Sequence, residues 1–127
     1  MNGCTIAQFY PFDGRRATAI GIIPPILNFK VINSIVTGYH DDEVVWTSPK
    51  NDEVCNFSFD HCVLRTEKMN TEDSLKFTNT IYENLKDTTQ FGEKHFRLFD
   101  TDNLKYDFRL RKESAAIGVA DAATSFP

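Results

Sequence analysis

The stretch LNFKVINSIVTGYHDDEVVWTSPK, residues 27–50, carries the strongest structural pattern in the chain. Its first part alternates, with Phe29 and Val31 on one side and Asn28 and Lys30 on the other. A period of two is typical of a β-strand, because successive side chains leave opposite faces of the strand. An acidic turn and a second apolar run, VVW, follow. The stretch therefore predicts a β-hairpin.

Shorter strand patterns lie on both sides of this stretch. They share alternating or β-branched apolar residues and fall at residues 5–10, 15–23 and 54–60. The dipeptide Asp13-Gly14 favours a tight turn between the first two. Pro24-Pro25 interrupts the pattern before the long strand, because a proline ring donates no hydrogen bond to a neighbouring strand. Residues 4–65 therefore predict a meander of short antiparallel strands.

One segment, residues 71–86, has the pattern of an amphipathic helix. Asn70 or Thr71 can cap it, and acidic residues in its first turn suit the positive end of the helix dipole. Its apolar stripe recurs at three- and four-residue spacing through Leu75, Thr78, Ile81, Tyr82 and Leu85. The sequence thus predicts an α+β fold, a small twisted antiparallel sheet of about five strands packed by one main helix.

The C-terminal part predicts a further β-hairpin within residues 93–112, around a turn at residues 100–103. Six Lys or Arg residues stand against three Asp between Lys94 and Lys112, a local charge of +3. Residues 113–127 are rich in Ser, Ala and Gly, so we expect a flexible tail after a single domain that spans residues 1–112. No internal repeat is visible.

The composition narrows the class of protein. The chain has 127 residues, of which 41% are hydrophobic and 25% charged, as is ordinary for one globular domain. A net charge of −4 argues against a strongly electrostatic nucleic-acid binder. No stretch approaches the roughly 18 apolar residues that cross a bilayer, so we expect no membrane partner. Three cysteines at irregular spacing indicate reduced thiols and a cytoplasmic location.

Catalytic motifs are missing from the sequence. It lacks the phosphate-binding glycine loops, the Gly-x-Ser-x-Gly elbow, the His-Glu-x-x-His pair and any Cys-x-x-Cys. Cys55, His61 and Cys62 offer soft metal ligands, but their spacing leaves a fourth ligand to chance, and core residues are the better interpretation. His95 is interpreted as a solvated surface histidine. We therefore expect no enzyme activity, no metal and no cofactor.

The order of the predicted elements resembles a known family. A turn and a strand of small residues lie in FDGRRATA (12–19), a long apolar strand in FKVINSIVTG (29–38), and a strand with a Ser-Pro-Lys corner in VVWTSPK (44–50). With the aromatic strand and the helix that follow, residues 5–86 resemble the SpoVG family of small bacterial septation and regulatory proteins. The resemblance implies a homodimer that binds DNA or RNA.

The resemblance also implies where nucleic acid would bind. The family uses basic residues near the corner and the helix, and the matching positions here are Lys50, Arg65 and Lys68. Arg15 and Arg16 lie in the early hairpin.

Apart from the resemblance, a twisted sheet with exposed aromatic and basic residues can stack unpaired bases and contact phosphates. Trp46 beside Lys50, and Tyr106 near Arg109 and Arg111, are such combinations. The sequence therefore predicts a non-catalytic nucleic-acid-binding regulatory protein.

A second hypothesis is a protein–protein interaction or assembly module, such as a viral or phage accessory protein. It would bind a partner protein by adding a strand to an exposed sheet edge.

Overall fold

The computed structural model describes residues 1–9, 18–47, 49–66, 76–83, 86 and 91–123. These residues form eleven β-strands and one 3-10 turn, Gly92–His95. The strands are β1 (Thr5–Gln8), β2 (Ile20–Ile22), β3 (Ile26–Ile32), β4 (Ile35–Gly38), β5 (Val44–Trp46), β6 (Cys55–Asp60), β7 (Val63–Leu64), β8 (Phe77–Thr78), β9 (Ile81–Tyr82), β10 (Phe96–Asp100) and β11 (Lys105–Leu110).

Successive strands wind through three parallel sheets. Sheet I has the order β3-β6-β8, sheet II has the order β1-β4-β7-β9, and sheet III contains β2 and β5. The chain visits sheets III, I and II through β2, β3 and β4, and again through β5, β6 and β7. Strands β8 and β9 then extend sheets I and II. Within these three sheets every neighbouring pair of strands is parallel, so this part of the molecule is a parallel β-solenoid in which each coil pairs with the coil before it.

The same corner leads into sheet II in every coil. Its first residue has a left-handed backbone, namely Gly3 (φ 66), Asn33 (φ 51), His61 (φ 52) and Asn79 (φ 47). Gly and Asn adopt this conformation more readily than other residues. The hydroxyl or thiol of the next residue donates to the carbonyl two residues earlier, in Cys4, Ser34, Cys62 and Thr80. These corners are an internal repeat, and their separations of 30, 28 and 18 residues explain why none is visible in the sequence.

Columns of apolar side chains from successive coils fill the solenoid. Val31, Phe59 and Phe77 occupy paired positions in sheet I. The rings of Phe59 and Phe77 are stacked, with centroids 5.4 Å apart and planes inclined by 1°. Trp46 of sheet III lies against Phe77, with ring centroids 5.4 Å apart. A parallel column in sheet II contains Val36, Leu64 and Tyr82.

A C-terminal segment covers the outer face of sheet II. Val63 of β7 packs against the buried Ala116. Asp121 donates its backbone N–H to the side-chain oxygen of the corner residue Asn33 at 2.7 Å. Residues 113–123, for which the sequence predicts a flexible tail, thus contact the solenoid.

The predicted α+β fold is wrong. In residues 71–86, the segment predicted as a helix, positions 77–78 and 81–82 form β8 and β9, and residues 71–75, 84–85 lie outside the described residues. A two-residue corner between two short strands spaces the apolar residues by three and four, which imitates a helical stripe. The described ranges contain no α-helix, and none of their helical segments is long and apolar enough to cross a membrane.

The predicted antiparallel meander is also wrong. The first strand of the hairpin predicted within residues 27–50 is divided at Asn33 into β3 and β4, and neither pairs with β5, because the three strands belong to sheets I, II and III. Alternation identifies a strand and its buried face but not its partner. The strand predicted at residues 54–60 is confirmed as β6, with Phe57 and Phe59 buried. The C-terminal hairpin is confirmed as β10 and β11, an antiparallel pair.

Candidate functional site

The hairpin carries a row of aromatic rings that continues onto the solenoid. Tyr106 and Phe108 of β11 are stacked, with centroids 5.7 Å apart and planes inclined by 9°. Tyr106 meets Phe99 of β10 at 5.1 Å, because these residues are paired across the hairpin. Phe99 meets Phe9 at 4.8 Å, and Phe9 meets Tyr39 at 4.9 Å. We call these five residues the aromatic row.

The outer end of the aromatic row is open to solvent. Phe9 is 8% exposed, whereas Tyr106 and Phe108 are 37% and 45% exposed. Leu98, which is 45% exposed, lies on the other face because it is paired with Asp107, and Leu104, which is 60% exposed, lies in the turn. Two strands form a single layer, which cannot bury both of its faces. Exposed aromatic rings grouped on one face of a protein mark a contact site.

Basic residues lie on the opposite face of β11 from the stacked rings. Lys105, Asp107 and Arg109 alternate with Tyr106 and Phe108, so their side chains leave the other face. The Arg109 guanidinium donates to the Asp107 carboxylate at 2.7 and 3.0 Å, and these bonds lower the pKa of Asp107 to about 2. Arginine and aromatic side chains therefore do not converge on this strand.

A buried polar cluster anchors the hairpin region to the solenoid. Glu83, which follows β9, accepts hydrogen bonds from His95 Nε2 at 2.7 Å and from Arg65 Nη1 at 3.1 Å. His95 Nδ1 lies 2.6 Å from Ser114 Oγ. The side chains of Glu83 and His95 are 0% exposed. We call Arg65, Glu83, His95 and Ser114 the anchor cluster, because its members come from the solenoid, the 3-10 turn and the C-terminal segment.

The order Ser114–His95–Glu83 places a hydroxyl, an imidazole and a carboxylate in sequence, as in a nucleophilic hydrolase. The Ser114 oxygen, however, accepts the backbone N–H of Ala116 at 3.1 Å, and Ser114 is 5% exposed. A buried hydroxyl offers a substrate carbonyl no line of approach. The geometry therefore supports an anchoring role for the cluster.

Burial and hydrogen bonding act on the pKa of Glu83 in opposite directions. Burial raises it, but the hydrogen bonds from His95 and Arg65 lower it, and the net pKa lies below the usual 4.5. The carboxylate is bonded to Nε2 of the His95 ring, and Nδ1 on the other side of the ring shares a hydrogen bond with the Ser114 hydroxyl. Each polar group of the cluster thus has a partner although water is excluded.

The predicted basic residues that the structure describes lie in separate elements. Arg65, at the end of β7, belongs to the anchor cluster and also donates to the His40 carbonyl at 2.8 Å. Lys50 is exposed in the turn between β5 and β6. Arg109 pairs with Asp107, and Arg111 lies 3.6 Å from Glu113. Three predicted positions lie outside the described residues, namely Arg15, Arg16 and Lys68.

The other side chains considered from the sequence belong to the core. Trp46 is half-buried against Phe57, with ring centroids 5.9 Å apart, and so does not accompany Lys50 on a surface. Cys62 is buried and Cys55 half-buried, both as free thiols, and burial raises the pKa of Cys62. Among the described residues, no group of three or more His, Cys, Asp or Glu side chains is placed to hold a metal ion.

The anchor cluster could not be identified from the sequence. His95 was interpreted as a surface histidine, but it is fully buried. Its partners are 12 and 19 positions away along the chain, with no local motif between them. Glu83 fell within the predicted helix and Ser114 within the predicted tail.

No family model, no curated protein and no solved structure matches the chain. The layout that resembles the SpoVG family includes a helix that begins near residue 71. In the described part of that segment the chain forms β8 and β9 instead. Because no match indicates a function, the proposal below begins from the solvent-exposed end of the aromatic row.

Proposed function

We propose that the chain is a non-catalytic protein-binding module, whose contact surface is the open end of the aromatic row. The proposal is carried by the exposure of Tyr106 and Phe108, at 37% and 45%, on a hairpin that adjoins the anchor cluster. Aromatic residues are enriched at protein interfaces, because they bury a large area and have few rotatable bonds. A partner would cover the part of the row that a two-stranded layer leaves open.

The partner contacts the face of the hairpin rather than its edge. A strand that joined β11 would need the backbone N–H groups along its free edge. Strand β11 carries the charged residues Lys105, Asp107 and Arg109 along its length. Charged side chains placed in this way protect an edge strand from pairing.

Charge around the hairpin, rather than on its aromatic face, favours a partner with an acidic surface, because the basic side chains of β11 lie on the opposite face from the rings. Residues 94–112 carry six Lys or Arg against three Asp, while the whole chain has a net charge of −4. Complementary potentials speed association and orient the two surfaces. The remainder of this chain is itself acidic, so a second copy meets the requirement, and a homodimer is the first form to test.

A photocrosslinking phenylalanine analogue at position 108 tests the proposal. The same analogue at position 27 is the control, because Leu27 is 80% exposed on β3. On irradiation of the pure protein and of extracts, position 108 should give one discrete product and position 27 none. A product of twice the 14.5 kDa chain mass identifies a second copy.

The variant Tyr106→Ser in the position-108 protein should reduce the yield of that product. If position 108 gives no product, or both positions give the same one, the proposal is wrong.

A nucleic-acid-binding regulatory protein is the second candidate, favoured by the exposed stack of Tyr106 and Phe108. Exposed aromatic residues stack on unpaired bases. Arg65 and Arg109 are already paired with carboxylates, so few phosphate contacts remain and binding should be weak. For either candidate we propose a cytoplasmic location, because thiols stay free in a reducing compartment and all three cysteines are free.

Fluorescence anisotropy of labelled single-stranded DNA and RNA separates the two candidates. Nucleic-acid binding predicts a signal at about 50 mM salt that weakens toward 150 mM and is lost in Tyr106→Ala. The interface proposal predicts no signal at either salt concentration.

A further inference from the structure

The outer face of sheet I places two lysines on either side of a serine. Lys30 of β3 is paired in register with Ser58 of β6. Lys76 directly precedes β8, whose Phe77 is paired with Phe59, so Lys76 is level with Ser58 on the other side. Neighbouring strands lie about 4.8 Å apart, which puts the two lysine backbones about 10 Å apart with Ser58 midway.

These residues line a depression of about 270 Å³. Asn28 and Asn56 add two amides beside them. Among the described residues, the lining contains two ammonium groups, two amides, one hydroxyl and the rings of Phe29 and Phe57, and no carboxylate. In a chain with a net charge of −4, this arrangement concentrates positive charge and hydrogen-bond donors at one place.

Lys76 is held in place without a ligand. Its Nζ donates to the Cys55 carbonyl at 2.8 Å and lies 4.3 Å from the centre of the Phe57 ring. The bond to Cys55 uses one of the three N–H donors of the ammonium group, so two remain available. A lysine held in this way loses less conformational entropy on binding than one free in solvent.

The carboxylate of β6 is engaged elsewhere. Asp60 accepts hydrogen bonds from Thr78 Oγ1 at 2.9 Å and from Asn79 Nδ2 at 3.2 Å. These bonds hold its carboxylate at the corner between β8 and β9. Within the described ranges, Lys30 and Lys76 form no ion pair with any carboxylate.

We propose that this depression, the Lys30–Lys76 site, binds a tetrahedral oxyanion, a phosphate or sulfate group, above the Ser58 hydroxyl. Lys30 contacts the anion beside Ser58, which donates from the sheet, and Lys76 contacts it from the end of the depression where its Nζ lies, near the Cys55 carbonyl. The Asn28 and Asn56 amides donate from the rim. Hydrogen bonds in which donor and acceptor are both charged are about twice as strong as neutral ones. The site uses different elements from the aromatic row, so it does not depend on the protein-binding proposal.

Nuclear magnetic resonance of the ¹⁵N-labelled protein tests the site, with sodium phosphate and sodium sulfate added at constant ionic strength. The amide signals of Lys30, Ser58 and Lys76 should shift and saturate. Lys30→Gln should weaken the affinity about tenfold, since it removes one charge-assisted bond. The matched control is Lys94→Gln, another exposed lysine, and it should leave the affinity unchanged.

Ser58→Ala provides a second variant, which should weaken binding severalfold without a change of charge. Glucose 6-phosphate and glucose 6-sulfate then distinguish a phosphate ester from a sulfate ester as the ligand. The ester of the correct class should bind more tightly than the corresponding inorganic ion. Shifts that do not saturate, or that are the same in Lys30→Gln and in the wild type, would overturn the proposal.

Discussion

The solenoid and the hairpin use the same arrangement of stacked aromatic rings in opposite ways. In the solenoid, the parallel rings of Phe59 and Phe77 lie 5.4 Å apart, and Phe59 is 0% exposed. In the hairpin, the parallel rings of Tyr106 and Phe108 lie 5.7 Å apart, and Phe108 is 45% exposed. Three sheets surround the first pair, whereas one layer supports the second. The layers around a pair of rings therefore decide whether it stabilises the core or is available to a partner.

The solenoid and the hairpin also differ in the contacts that stabilise them. Each solenoid coil pairs with its neighbours along parallel strands, so its stability is shared among coils. The hairpin pairs locally and is next to the anchor cluster, through the 3-10 turn that carries His95. Changes inside the solenoid should therefore unfold the whole molecule, while changes at the cluster should loosen the hairpin first.

The largest effect is expected from a charge placed inside the solenoid. Leu64 is 0% exposed and points into the core, whereas Ile81 is 39% exposed on the outer face of the same sheet. A buried, unpaired carboxylate costs several kcal/mol, which approaches the total stability of a domain. Leu64→Asp should abolish the cooperative thermal transition measured by circular dichroism, and Ile81→Asp should keep it. An unfolded Ile81→Asp protein would show that this face is more deeply covered than the structure shows.

A smaller effect is expected at the anchor cluster. Glu83→Ala leaves Arg65 and His95 without their shared carboxylate, and breaking a buried ion pair costs about 3 kcal/mol. Asp107→Ala breaks a pair whose arginine is 72% exposed, so it should cost much less than Glu83→Ala. Urea unfolding measures both values. Hydrogen exchange in Glu83→Ala should show faster exchange in β10 and β11 than in β4 and β7, and equal acceleration would contradict an anchoring role.

Acid should remove part of the stability that the Glu83 carboxylate contributes. The pKa of Glu83 is lowered in the folded protein, so the carboxylate stabilises the fold fully above the usual value of 4.5. That contribution is lost as the pH falls below 4.5 toward the folded pKa. Stability measured between pH 7 and pH 3 should therefore fall more steeply in the wild type than in Glu83→Gln, whose amide does not titrate. Parallel curves would show that Glu83 titrates alike in the folded and unfolded chain.

Local structure could be predicted from the sequence where the residues that contact each other are close along the chain. The hairpin between β10 and β11 needs a turn of only four residues, and its alternation is visible in the sequence. The buried side of β6 could be predicted for the same reason, from Phe57 and Phe59 alone. Tyr106 was likewise visible as an aromatic residue in a strand with basic neighbours.

Parallel pairing could not be predicted, because alternation does not specify a distant partner. Ile35 pairs with Thr5 on one side and with Val63 on the other, across about thirty residues each way. The anchor cluster and the Lys30–Lys76 site exist only after that pairing brings separate coils together. The corner sequence, Gly, Asn or His followed by Cys, Ser or Thr, is too short to find without the coil spacing.

The smallest effect concerns the backbone of one corner. Asn79 has φ 47, and its side chain donates to Asp60 at 3.2 Å. Asn79→Ala and Asn79→Gly both lose that hydrogen bond, but only alanine opposes the left-handed backbone, at about 1 kcal/mol. In urea unfolding the glycine variant should therefore be more stable than the alanine variant by about this amount. At Asn28, in the extended strand β3, the alanine variant should be the more stable of the two. There the backbone does not need glycine, and glycine only raises the conformational entropy of the unfolded chain. Equal stability of the two Asn79 variants would mean that this corner does not need the left-handed conformation, and the solenoid repeat would lose its physical basis there.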